Sequence, residues 1–110
     1  MWLLIDDLRN LNCELTARTA AEGKQMLQEY AGRIECVCLD HDLGEVLTGY
    51  DVACWALERD LMPPHVQLVT SNPVGRKNIS DALAVYKYLT KDGINFFQSQ
   101  DKQSLFRSPC

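Results

Sequence analysis

Residues 35–51 read Glu-Cys-Val-Cys-Leu-Asp-His-Asp-Leu-Gly-Glu-Val-Leu-Thr-Gly-Tyr-Asp. The first five have strand character and stop at Asp40. A loop with Gly44 at its bend follows. Thr48-Gly-Tyr-Asp51 then forms a capping box that opens a helix. Strand, acidic loop and capped helix make the repeating unit of an open α/β sheet, in which binding crevices form beyond the carboxy ends of the strands.

Working towards the amino end, Trp2-Leu3-Leu4-Ile5 is a short continuous apolar run, as expected of a central parallel strand. It ends at a second acidic cluster, Asp6-Asp7. Residues 13–17 fit a short second strand. Thr19-Ala-Ala-Glu22 is another capping box, starting a helix that ends near Gly32. Only Leu8 to Asn12 separate the acidic pair from the second strand. A crossover helix needs a dozen residues or more, so the first crossover is expected to be abbreviated.

Towards the carboxy end, Val52, Trp55 and Ala56 share a helix face, and Pro63-Pro64 terminate that region. Val66 to Thr70 reads as a strand. Asn72-Pro73 reads as an N-cap followed by proline at the first helical position. The helix is expected to run through Ile79, Leu83 and Tyr86 to Leu89. Ile94 to Phe97 is a candidate last strand, and the tail 98–110 is expected to be loosely ordered. Strands alternating with helices predict one domain, 1–110, built on an open parallel sheet with right-handed crossovers.

A chain of 110 residues suffices for one domain with a core. Its net charge of −4 gives no global attraction to nucleic acid, so a nucleotide or RNA substrate would need a local cation. No apolar run approaches the roughly 20 residues that span a membrane, and Asp6-Asp7 interrupts any signal-peptide pattern. The five cysteines are odd in number and include no Cys-x-x-Cys. Cys36 and Cys38 share one strand face. Buried thiols in a reducing cytosol are the simplest account, and a cytoplasmic location is expected.

Two acidic clusters at strand ends bring like charges together, a cost relieved by a cation or by protons. Asp6, Asp7 and Asp40 are therefore candidate ligands for Mg²⁺, which favours carboxylate oxygens. The competing reading is a pair of solvated turns. His41, flanked by Asp40 and Asp42, is a candidate acid/base, with Asp42 to orient it, bind metal or fix the loop. Thr48, Asn72 and Thr70 are candidate substrate contacts, although capping alone accounts for Thr48 and Asn72. The helix start at Asn72 is also suited to an anion, and Arg76, one turn on, is placed to take a phosphate. His65, at the opposite end of its strand, is expected to play no part.

The run Ile5-Asp6-Asp7-Leu8-Arg9, the Leu-Asp-His-Asp-Leu-Gly of 39–44, Thr48-Gly-Tyr-Asp51 and Asn72-Pro-Val-Gly-Arg76 resemble the patterns of cyclic-phosphate-processing receiver domains. These are an offshoot of the receivers of two-component signalling. The resemblance covers roughly residues 2–89. It implies a receiver-like, flavodoxin-like fold with the abbreviated first crossover. It also implies processing of a cyclic phosphate on a nucleotide or an RNA end. Carried over, Asp6, Asp7 and Asp40 match the acidic pocket, His41 and Asp42 the added catalytic element, and Asn72 and Arg76 the phosphate-facing helix start. One departure stands out: similar members carry a His-Ser pair shortly before the Asn-Pro, where this chain has Val69 and Thr70. Two alternatives follow. Asp40 would be a signalling phosphoacceptor read by Thr70 and Lys91, or the chain would bind a cyclic nucleotide without turnover.

Overall fold

A computed structural model describes residues 1–99. Nine elements follow in order: β1 (Trp2–Ile5), β2 (Leu15–Ala17), α1 (Ala20–Glu29), β3 (Cys36–Leu39), α2 (Gly49–Glu58), β4 (His65–Leu68), α3 (Pro73–Val85), β5 (Tyr88–Thr90) and β6 (Asn95–Gln98). They build one six-stranded sheet in the order β2-β1-β3-β4-β6-β5. The α/β receiver-like class expected from the sequence is what forms.

Strands β2, β1, β3 and β4 are parallel, with Leu3 opposite both Leu15 and Val37, and Leu39 opposite Leu68. The sheet is not parallel throughout. β6 runs antiparallel to β4 and to β5, pairing Val66 with Phe96 and Tyr88 with Gln98. The cause is a tight turn at Asp92-Gly93. Asp92 Oδ1 accepts from the N–H of Ile94 and Asn95, and Thr90 Oγ1 accepts from the N–H of Gly93. Such a turn returns the chain beside itself, leaving no length for a crossover.

The third helix also ends earlier than its periodicity suggests. α3 stops at Val85, Lys87 takes a left-handed turn at φ 72°, and Tyr88 begins a strand. Tyr88 is 3% exposed, and its hydroxyl donates to the carbonyls of Met62 and Pro63. Continuing the helix would leave that ring and the edge of β6 unpartnered.

All three helix starts form where the side chains dictate. Thr19 accepts from the N–H of Glu22, and Asn72 accepts from those of Val74 and Gly75. Thr48 and Asp51 close a reciprocal capping box. At Thr19 the box is incomplete, because Glu22 accepts from the N–H of Arg18 rather than from that of Thr19.

The crossovers β2–α1–β3, β3–α2–β4 and the passage through α3 all step across the sheet in one direction, so the helices line one face. Ile5, Leu39, Val52, Leu68, Ile79 and Leu83, at 0–1% exposure, form the core there. Each contributes roughly 1.5–3 kcal/mol by burial. On the other face Leu4, Cys36 and Cys38 are buried against Trp2, Cys13 and Val69. Cys13, Cys36, Cys38 and Cys54 are free thiols. The first crossover is a loop without a helix, residues 6–14, as its length requires. No helix of the described residues is long and apolar enough to cross a membrane. The expected loose tail falls outside the described residues from 100 onward, while Gln98 closes β6.

Candidate functional site

β1 and β3 are neighbours and end together, so the residues just beyond them are forced side by side. Asp6 and Asp7 follow β1, Asp40 follows β3, and Asp40 N–H still donates to the Ile5 carbonyl at 3.0 Å. Ligand-type oxygens of Asp6, Asp7 and Asp40 lie within 4.8 Å of one another. Asp6 is 1% exposed and Asp40 8%. Together with Arg9, Asp42 and Ser71 they line an open cleft of about 440 Å³. The two acidic stretches read from the sequence thus meet at one rim.

The three carboxylates are not equivalent. Asp6 Oδ1 accepts from the N–H of Leu8 and Arg9, while Oδ2 lies 2.9 Å from Arg9 Nη1. Burial alone would raise its carboxyl. The two N–H groups and the guanidinium outweigh that, and the net displacement is downward. Asp40 goes the other way: burial first, and then the charge of Asp6, raise it above the ordinary carboxylate range. The His41 N–H at 2.8 Å, the Thr70 hydroxyl and Arg9, 3.6 Å away, offset this in part. Asp7 completes the group and faces Gly44. A side chain built at position 44 would meet Asp7 Oδ2 at 2.9 Å, and the backbone there has φ 70°.

Behind the rim lies a polar chain. His41 Nδ1 is 3.0 Å from Asp42 Oδ1, and Asn72 Nδ2 donates to Asp42 Oδ2 at 3.3 Å. Asn72 meanwhile caps α3 through its carbonyl oxygen. Both hydrogen bonds hold the exposed Asp42 carboxyl below its usual range, that from His41 more than that from Asn72. Asp42 lines the cleft, whereas the imidazole lies against α3 and does not. Orienting His41, binding metal and fixing the loop were all open to Asp42 from the sequence; in the fold it bonds the imidazole and lines the cleft.

Two glycines of the motif stretches owe their identity to close approach. A Cβ at Gly75 would stand 2.3 Å from His41 Cγ, and one at Gly49 would stand 1.8 Å from the Asp40 carbonyl oxygen. Gly49 N–H donates to the His41 carbonyl at 2.8 Å, locking the start of α2 to the acidic loop.

The remaining candidates are placed as follows. Thr70 is 2% exposed; its hydroxyl accepts from the N–H of Asn72 and bonds Asp40. Thr48 is engaged in its capping box and borders an adjoining shallow hollow with Asp42 and Gly44. Arg76 donates to the carbonyls of Thr70 and Gly93, tying β4 to the β5–β6 turn. Its guanidinium is held by backbone and does not line the cleft. Lys91 follows β5, three strands from β3, which at ~4.8 Å per strand is roughly 14 Å away. His65, as expected, is remote, stacked on Phe97 at 4.3 Å. Sequence reasoning named Arg9 only within the run Ile5-Asp6-Asp7-Leu8-Arg9, without a role, and passed over Ser71; Arg9 stood there as a cation within reach of its own acids.

The donor set is all hard oxygen, and the Asp7 carboxylate makes no hydrogen bond among the described residues, so the residues suit a small divalent cation. A family model described as the cyclic-phosphate processing receiver domain matches residues 1–85, from the first strand to the last residue of α3. No curated protein and no solved structure matches the chain. The matched stretch contains every cleft residue, and the chain belongs to the cyclic-phosphate processing receiver domain family.

Proposed function

We propose that this chain opens a cyclic phosphodiester, on a nucleotide or at an RNA end, in the cleft bounded by Asp6, Asp7, Asp40 and Asp42. The observation that carries this reading is the convergence of three carboxylates from two strand ends within 4.8 Å, beside a fourth held by His41 and Asn72. Asp6, Asp7 and Asp40 would together hold Mg²⁺. The ion would supply neutralisation and polarisation of the phosphoryl oxygens. Asp42 faces the cleft as an ionised carboxylate and orients the attacking water. Asp42 takes the proton that leaves that water and returns it to the departing ribose oxygen, while the His41 imidazole, 3.0 Å behind it, holds the carboxylate in place. Thr70 and the His41 N–H fix the Asp40 side chain by hydrogen bonds to it. Arg9 balances the charge of the Asp6–Asp40 pair.

A signalling phosphoacceptor is the weaker reading, because Lys91 stands three strands from Asp40. Incubation with 2′,3′-cyclic nucleotides and Mg²⁺, followed by ³¹P NMR, tests the proposal. Ring opening is expected, abolished by Asp40→Asn and reduced on the order of 10²-fold or more by Asp42→Asn or His41→Ala. The absence of turnover on every cyclic phosphate offered, or turnover indifferent to Asp40→Asn, refutes it. Tight binding of unchanged ligand would recast the chain as a sequestering protein.

A further inference from the structure

A cleft lined by four carboxylates must still accept an anion. Among the described residues that line it, Arg9 is the one cation. Other basic side chains near the strand ends are engaged elsewhere: Arg76 by the Thr70 and Gly93 carbonyls, and Lys77 by Asp81. Arg18 is held by the Asp6 and Arg9 carbonyls and by the Asn10 side chain. Arg9 is different. Its side chain is 42% exposed, and Nη1 alone reaches the acids, 2.9 Å from Asp6 and 3.6 Å from Asp40. Its Nε and Nη2 make no hydrogen bond among the described residues. A guanidinium presents five donors in a fork that matches a phosphate, so most of this one remains available.

We infer that Arg9 is the phosphate-holding arm of the cleft, and that it competes with a divalent cation for Asp6 and Asp40. With no ion present it serves as their counter-charge. An ion on the same carboxylates takes over that task and frees the guanidinium to turn to the substrate phosphate. Cation and anion binding are then positively coupled through one side chain, and the coupling is reciprocal. Arg18 keeps the loop in place meanwhile, since it holds backbone oxygens rather than the acids. This inference rests on the metal-assisted reading of the cleft above.

Two probes test it on the intact chain. Mn²⁺ affinity is read from the EPR signal of the free ion without added anion, and inorganic phosphate affinity from the ³¹P shift at saturating Mg²⁺. Arg9→Gln is expected to tighten Mn²⁺ about tenfold and to weaken phosphate about tenfold. A residue that only held the loop would not move the two in opposite directions. Arg9→Lys keeps the charge but lacks the fork; it is expected to hold Mn²⁺ near the wild-type affinity and still lose phosphate affinity. It carries the test if Arg9→Gln fails to fold. Phosphate affinity unchanged in both variants, or Mn²⁺ affinity unchanged or weakened in Arg9→Gln, overturns the inference. Mn²⁺ binding that is lost in Asp40→Asn yet indifferent to Arg9 overturns it alone, leaving the metal reading intact. No Mn²⁺ binding by any variant overturns both.

Discussion

Gly75→Ala puts helix propensity and packing in direct opposition. Alanine is the better helix former by roughly 0.5–1 kcal/mol, so propensity alone predicts stabilisation. The new methyl, however, would stand 2.3 Å from Cγ, 2.6 Å from Cδ2 and 2.7 Å from Nδ1 of His41. Overpacking of this kind costs about 1–3 kcal/mol. If the imidazole swings away instead, its hydrogen bond to Asp42 is lost, at about 1 kcal/mol. The expected net result is destabilisation of roughly 1–2 kcal/mol, a fall in Tm of about 5–10 °C for a chain of this size. Thermal unfolding followed by circular dichroism measures it. In a His41→Ala background the space is vacated, and the same alanine should become neutral or stabilising, a reversal of sign that a double-mutant cycle isolates. A higher Tm for Gly75→Ala alone, or no reversal without the ring, refutes the argument.

The two buried acids should have opposite pH signatures. Asp40 has a folded pKa above its unfolded one, so stability falls as pH rises through the window just above roughly pH 4. Asp40→Asn should therefore raise Tm by a few °C at pH 7, a gain that vanishes below about pH 4. Asp6 has a lowered folded pKa, and its contribution is present at neutral pH and lost as pH falls through that depressed value. Asp6→Asn should lower Tm at pH 7, and melts across pH check both signs. Tyr88→Phe leaves the Met62 and Pro63 carbonyls without their shared donor. It should cost about 1–2 kcal/mol in urea unfolding with the slope unchanged.

What could be read without coordinates was local. Thr19, Thr48 and Asn72 announce helix starts because a cap is satisfied by its own next few residues. Asp6-Asp7 and Asp40 announce strand ends because two charged residues in succession cannot continue a buried run. The abbreviated first crossover followed from simple length. The end of α3 did not, because the periodicity of Ile79, Leu83 and Tyr86 carries no notice that Tyr88 has a buried place between Met62 and Pro63. The antiparallel closure had a signal in Asp92-Gly93 between two β-type runs, the pattern of a hairpin. At the site, residue types and strand ends were legible, but facing was not. Which of His41 and Asp42 looks into the cleft depends on Gly75, thirty-odd positions away in the chain.

That remote dependence bears on how the family can drift. Position 75 is the mould for the ring at 41, and position 49 the mould for the backbone at 40. Neither glycine can change alone without disturbing the residue cast against it. A lineage that replaces His41 with something small is released to fill position 75. The Asp40 carbonyl belongs to every residue type, so no replacement at 40 releases 49. The first pair is thus free to co-evolve, while the second is frozen.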